Sequence, residues 1–416
     1  MAAQVWLPGR DEPLVIPEPV WAASYPPPVS RRVFAAAHVA ARPASGPPDA
    51  ARPEAEERPG AEDAVIDWES TMRFRDQLWA HGFGVAEAMD TSQRGMGLSW
   101  GQARELISRS AARAGQHRTA GAAAALACGA GTDQLADGQS YPIAEIIGAY
   151  AEQMAFVQSA GARVSAVSGV SGLILMASRA LAVSARDARE YLEVYGELLK
   201  QADQPVILHW LGEAFDPALR GYWGSTDFDT AADTVVELIE RADGRVDGIK
   251  LSVLDAGREA ALRRRLPAGV RLYTGDDFNY AELIRGDACG HSDALHSDAM
   301  LGAFAAITAP AAAALAALDR GDTDGYDAAM GPTVPLSRLI FEPPTSRYKV
   351  GVAFLAWLNG WQPHFAMLAG WQRQRPARHL LRVAELAAAA RALTNPDLAA
   401  ERLTDLLAHL AGPERV

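Results

Sequence analysis

The chain has 416 residues, 49% of them apolar, which leaves room for one large α/β domain with an appendage or for two domains. Its 39 Lys plus Arg against 51 Asp plus Glu give a net charge of −12, which argues against a nucleic-acid partner. Two distant cysteines, Cys128 and Cys289, match no zinc spacing and fit a reducing, cytoplasmic setting. No signal peptide shows at the amino terminus, and the alanine-rich stretch 299–318 is too broken by Gly302, Thr308 and Pro310 to cross a membrane.

Residues 1–32 are proline-rich and are expected as an extended arm or small hairpin on the main body. A first strand over 33–39 carries His38 near its end, and 42–62, rich in Pro, Ala, Glu and Gly, reads as a surface insertion. The pattern then alternates. A helix over 67–81 leads to a strand over 83–88, and Ser99-Trp100-Gly101-Gln102 is a capping box opening a helix that ends at Gly115. Strand 122–128, helix 143–160, strand 173–176, helix 187–200 and strand 205–209 follow. Phe228, Ala232, Val235, Leu238 and Ile239 mark a helix by their period. After it come strand 246–253, helix 257–266, strand 270–274, helix 279–284 and a last strand over 287–292.

Eight strands alternating with helices over about 280 residues is the pattern of a (β/α)8 TIM barrel. An open doubly wound sheet would want a glycine-rich phosphate loop after an early strand, and no G-x-G-x-x-G stands there. The expected organisation is an N-terminal arm over 1–32, the barrel over 33–310 and a C-terminal helical region over 311–416. That region holds the apolar run 350–358, which should be covered by its own chain, by the barrel or by a second subunit. A homo-oligomer is expected.

Strand 246–253 carries a lysine, Lys250, in an otherwise mostly apolar run. Of the 39 basic residues only Lys200, Lys250 and Lys349 are lysines. Arginine keeps its proton near neutral pH, whereas a desolvated lysine can lose it, attack a carbonyl and form a Schiff base. A lysine that snorkels from a strand end to solvent is the plain alternative. Barrel active sites collect at the carboxyl ends of the strands. His38, Glu87, Asp90, Arg94, Thr132, Arg179, His209, Asp276, Asp277 and His291 fall on that rim. Each acid alone could be a helix cap, but three of the nine histidines sharing one rim is harder to set aside.

Over 33–358 the chain resembles the dihydrodipicolinate synthase/N-acetylneuraminate lyase superfamily of class I aldolases, and within it a dihydrodipicolinate synthase-like group. Gly248-Ile249-Lys250 looks like the G-[IV]-K of the Schiff-base strand, and Pro205-Val206-Ile207-Leu208-His209 sits where that family has P-[VI]-x-[LI]-Y. Thr274-Gly275-Asp276-Asp277 is similar to the S-G-x-D loop, and 90–94 falls where the family has G-T-T-G-E, followed by Leu98-Ser99 for L-[ST]. The resemblance implies that Lys250 forms the imine and that Thr91 and Ser92 hold a substrate carboxylate. It also implies that His209 stands in for a proton-relaying tyrosine. Ala214 replaces the usual arginine, and G-T-T-G-E keeps only Thr91 and a serine.

The expected function is therefore a Schiff-base lyase or aldolase acting on a small carbonyl compound, a keto acid or keto sugar. It needs no cofactor. Lys250 and His209 are the catalytic pair, and Arg94 or Arg179 could hold an anionic or polyhydroxylated substrate. Glu87, Asp90, His38, Asp276 and His291 complete the rim. The alternative is a metal-dependent lyase, isomerase or epimerase on the same barrel, with His38, Glu87, His209, Asp276 and His291 as ligands of a divalent ion. A non-catalytic binding barrel is the third reading.

Overall fold

The computed structural model describes residues 2–43, 64–119, 122–168, 172–286 and 296–411. Eight parallel strands close into a barrel in chain order. They are β1 (Val33–Ala36), β2 (Gly84–Glu87), β3 (Leu126–Ala130), β4 (Leu173–Leu175), β5 (Val206–Leu211), β6 (Val246–Ser252), β7 (Arg271–Thr274) and β8 (Asp298–Leu301). The main helices between them are α1 (Trp68–Ala80), α2 (Trp100–Gln116), α3 (Ile143–Ser168), α4 (Ala188–Gln201), α5 (Phe228–Arg241), α6 (Ala256–Arg265) and α7 (Tyr280–Arg285). The barrel closes through β8 pairing with β1, Met300 opposite Phe34. The expected last strand over 287–292 lies outside the described residues, and the eighth strand is Asp298–Leu301. Its Asp-Ala-Met-Leu sequence is short and alanine-bearing, and it is continuous with the apolar 299–318 stretch that masks its end.

Strand parity sorts the side chains. Phe34, Ala36, Ala86, Ala127, Ile174, Ile207, Tyr273 and Met300 form one small buried cluster, the barrel interior. Their neighbours, such as Ala35, Val85, Leu208 and Leu251, belong to the larger core between strands and helices. The interior is tight. A Cβ on Gly248 would come within 2.8 Å of the Tyr273 ring. The amino end is closed by ion pairs, Arg32 to Asp247 at 2.7 Å and Arg271 to Asp298 at 2.6 Å, with the Tyr273 hydroxyl donating to Asp247 at 2.6 Å.

After β8 the chain is helical: α8 (Thr308–Asp319), α9 (Thr323–Met330), α10 (Thr333–Ile340), α11 (Tyr348–Leu358), α12 (Ala377–Ala389) and α13 (Pro396–Ala411). The first 32 residues do form a hairpin, Ala3–Val5 against Leu14–Ile16, but it packs on α12 and α13 and not on the barrel. Val5, Leu7, Leu14 and Ile16 are the buried side chains that hold it there. The apolar run in α11 is covered by its own chain: Val350, Val352, Phe354, Leu355 and Leu358 are fully buried. That run therefore does not call for a second subunit. Among the described residues no helix is long and apolar enough to cross a membrane.

Candidate active site

Lys250 pairs in register with His209 on β5 and Tyr273 on β7. Ile207 and Tyr273 face the interior, so His209, two residues after Ile207, and Lys250, opposite Tyr273, share that inward face. Lys250 is 4% exposed. Its stem lies over the turn after β7, where a Cβ on Gly275 would stand 2.9 Å from the Lys250 Cε and 2.1 Å from the Ser252 hydroxyl. Glycine at 275 thus makes room for the lysine. None of the hydrogen bonds or ion pairs among the described residues engages the Lys250 amine.

Burial drives the Lys250 pKa below the ordinary lysine range, while the carboxylates of Asp90 and Asp277 oppose that fall. Burial pushes Asp277 well above the usual carboxylate range, and only the Ala303 amide, donating at 2.9 Å, and Lys250 pull it back. The pair therefore favours its neutral forms, amine and carboxylic acid. Asp90 behaves differently. Burial would raise it, but Lys349, Lys250 and the Tyr348 hydroxyl outweigh burial and hold it below the ordinary value.

Tyr348 and Lys349 come from α11, in the C-terminal region. The Tyr348 hydroxyl donates to Asp90 Oδ2 at 2.6 Å and lies 2.5 Å from the Thr91 hydroxyl. Lys349 is 1% exposed, stands 3.8 Å from Asp90 Oδ2 and donates to the Ser346 carbonyl at 3.0 Å. Burial lowers its pKa to about 8. Gly302 lies beneath the phenol, where a Cβ would come within 2.9 Å of the Tyr348 ring.

The residues expected on the rim divide. Lys250, His209, Asp90 and Thr91 gather around this buried cluster. Burial, then Lys250, pushes His209 well below the ordinary histidine value, against the pull of Asp90. Among the described residues its ring bonds only the Ser252 hydroxyl, at 3.4 Å. Burial thus works against the charged form of this imidazole. Ser92 spends its hydroxyl on the Met89 carbonyl at 2.6 Å. Asp276 anchors the turn before α7, accepting from Phe278 and Asn279, and its neighbour Asp277 is the one whose carboxyl interacts with Lys250.

Four expected members stand elsewhere. Glu87 has the opposite parity to Ala86, so it points outward and forms a two-pronged pair with Arg75 of α1 at 2.8 Å, both fully buried. His38 lies past the end of β1, packs edge-on against Phe74 of α1 and bonds Gln362 at 2.6 Å. Burial takes it to about 4. Arg94 spends all five N–H groups on Asp133, Gln153 and the carbonyls of Ala88 and Gly129, tying the loop after β2 to β3, the loop after it and α3. Arg179 is partly exposed and pairs with Asp137 at 2.8 Å and Asp216 at 2.5 Å. His291 lies outside the described residues. Among the described residues no three His, Cys, Asp or Glu side chains are grouped to hold a metal ion.

Sequence reasoning missed Tyr348, Lys349 and the choice of Asp277 over Asp276. For Lys349 the signal was present: it is one of three lysines and opens an apolar run, as Lys250 sits inside one. Nothing in the sequence says that α11 folds back over the barrel mouth.

The same architecture recurs in solved structures. The dihydrodipicolinate synthase of Aquifex aeolicus is 12% identical at a TM-score of 0.56, covering 86% of this chain and 97% of that one. That of Bacillus clausii is 15% identical at 0.57, covering 86% and 96%. The chloride-inhibited enzyme of Acinetobacter baumannii, complexed with pyruvate, is 14% identical at 0.56, covering 87% and 99%. The closed eight-stranded barrel thus has the fold of these dihydrodipicolinate synthases. The chain itself belongs to the family described as "Protein of unknown function (DUF993)", whose model matches residues 11–412. No curated protein matches it.

Proposed function

We propose that the protein is a class I aldolase-like carbon–carbon lyase that binds a small carbonyl compound as an imine on Lys250. The observation that carries this is a lysine buried inside the barrel mouth, bonded to no described side chain, with its charged form disfavoured by burial. A neutral amine is the nucleophile such chemistry needs.

The steps balance with the groups present. The Lys250 amine adds to the carbonyl carbon, and its proton passes to the carbonyl oxygen. Asp277, whose protonated form burial favours, gives its proton to the resulting hydroxyl. Water leaves, and an iminium cation faces the Asp277 carboxylate. The iminium draws the electron pair of the neighbouring C–C bond toward nitrogen as that bond breaks, and Asp277 takes back the proton of the departing hydroxyl carbon. Asp90, whose ionised form Lys349 favours, is a standing counter-charge to the iminium. The iminium is itself the electron sink. The test is borohydride reduction with a panel of carbonyl compounds, read by intact mass. A stable adduct in the native protein and none in Lys250→Arg supports the reading, because the guanidinium keeps the charge and loses the nucleophile. Equal labelling of both proteins would refute it.

A further inference from the structure

We infer that Lys349 is a positioning residue for the amine chemistry: it engages Asp90, the carboxylate that would otherwise pair with Lys250, and so leaves the Lys250 amine without an ion partner. This rests on the imine reading and adds to it a second lysine, one that does not itself bond the substrate.

Two buried lysines share one carboxylate, and their surroundings differ. Lys349 is built to keep its proton. Its ammonium donates to the Ser346 carbonyl at 3.0 Å and stands 3.8 Å from Asp90 Oδ2. It also lies 4.4 Å from the centre of the Tyr348 ring and 5.6 Å from that of Trp371. A carbonyl, a carboxylate and two aromatic faces are what a desolvated ammonium needs. Burial lowers Lys349 only to about 8, with Asp90 pulling against it, so the charge persists at neutral pH. Lys250 has no such set, since none of the hydrogen bonds or ion pairs among the described residues engages its amine.

Asp90 Oδ2 is taken from two sides, by the Tyr348 hydroxyl at 2.6 Å and by Lys349. Of the two lysines that favour ionised Asp90, Lys349 counts for more than Lys250. The other groups around the Lys250 amine do not hold it as a cation. On β5, burial works against a charged His209, and on the turn after β7 burial favours the neutral acid of Asp277. Burial also pushes the Tyr348 phenol well above its ordinary value, so it stays uncharged. On the far side of Lys349, Arg179 and Asp216 oppose one another. Without the Lys349 charge, Asp90 would be left with Lys250 as its cation. The proton would settle on the stronger base of that pair, the amine, and an ammonium cannot attack a carbonyl.

The experiment is borohydride trapping of the full chain with dihydroxyacetone, an uncharged probe, followed against pH and corrected by the label found on Lys250→Arg. Folding of each variant is checked by circular dichroism. In Lys349→Gln, whose amide keeps a donor and loses the charge, the acid limb should move to higher pH. Trapping at a fixed pH on that limb then slows several-fold. In Lys349→Arg, which keeps the charge, the limb should stay at or below its native position. Added to Asp90→Asn, Lys349→Gln should move the limb little, because the carboxylate through which Lys349 acts is gone. A limb that stays in place or moves down in Lys349→Gln overturns the inference. So does an upward shift in folded Lys349→Arg, whether or not Lys349→Gln folds, and so does an equal shift with and without Asp90. Each of these leaves the imine reading standing. No adduct on native Lys250 at any pH would overturn that reading as well.

Discussion

The two ends of the barrel are both lined with acids, and they treat them oppositely. At the amino end Asp247 and Asp298 meet Arg32 and Arg271 at 2.7 and 2.6 Å. At the carboxyl end Asp90 meets two lysines and a phenol, and Asp277 meets a backbone amide and a lysine that none of the described residues bonds. Arginine holds its proton at any ordinary pH, so the lower ring is fixed in charge and serves as closure. Lysine and a buried acid can exchange a proton, so the upper cluster can change state during a reaction. The choice of cation, more than the number of charges, separates the structural end from the chemical one.

The pair of Arg75 and Glu87 sharpens the contrast, because Glu87 lies only three residues of chain before Asp90 and yet follows the arginine rule. Both are fully buried, and the pair is two-pronged, with Ser110 also donating to Glu87 at 2.5 Å. Arg75→Leu strands a carboxylate in the core. We expect it to cost about 3–5 kcal/mol of stability, measured by denaturant unfolding, while the lysine chemistry of whatever remains folded is unchanged. A loss below about 1 kcal/mol would mean the pair is solvated after all.

Asp90→Asn is the matching change at the upper end, with a smaller effect of a different kind. Ionised Asp90 favours protonated Lys250, so its removal should lower the lysine pKa further. Imine formation needs the neutral amine, so the acid limb of trapping against pH should move to lower pH. An acid limb that stays in place or moves upward would detach Asp90 from Lys250. Smallest of all should be Asp247→Asn at the lower end. Its pair with Arg32 is partly exposed, so we expect a change of no more than about 1 kcal/mol in unfolding free energy. The trapping profile should not move, and a shift there would tie the two ends together.

Much of this was legible in the sequence, and the reasons differ by feature. Alternating strands and helices gave the barrel because strand period and helix period are local properties. Lys250 was legible because lysine is rare here and a charge inside an apolar strand has a cost that demands a use. Glu87 was misplaced because the rim was read by position along the strand and not by parity: one residue beyond Ala86 faces the helices. His38 was misplaced because β1 ends at Ala36, two residues earlier, and the chain leaves the barrel. Tyr348 and Lys349 were beyond reach because their place depends on how a helix more than 250 residues from Asp90 packs back over it, which no local pattern encodes.

The central claim is that Lys250, and not its buried partner Lys349, carries the substrate. The chain has only three lysines, so a peptide map after borohydride reduction in the presence of dihydroxyacetone can assign the adduct outright. Lys349 has its amine on the Ser346 carbonyl and 3.8 Å from Asp90, whereas the Lys250 amine is engaged by none of the described residues. We expect the added mass on the peptide containing Lys250, with Lys349 and Lys200 unmodified. An adduct confined to Lys349, or no adduct on any of the three, would contradict it.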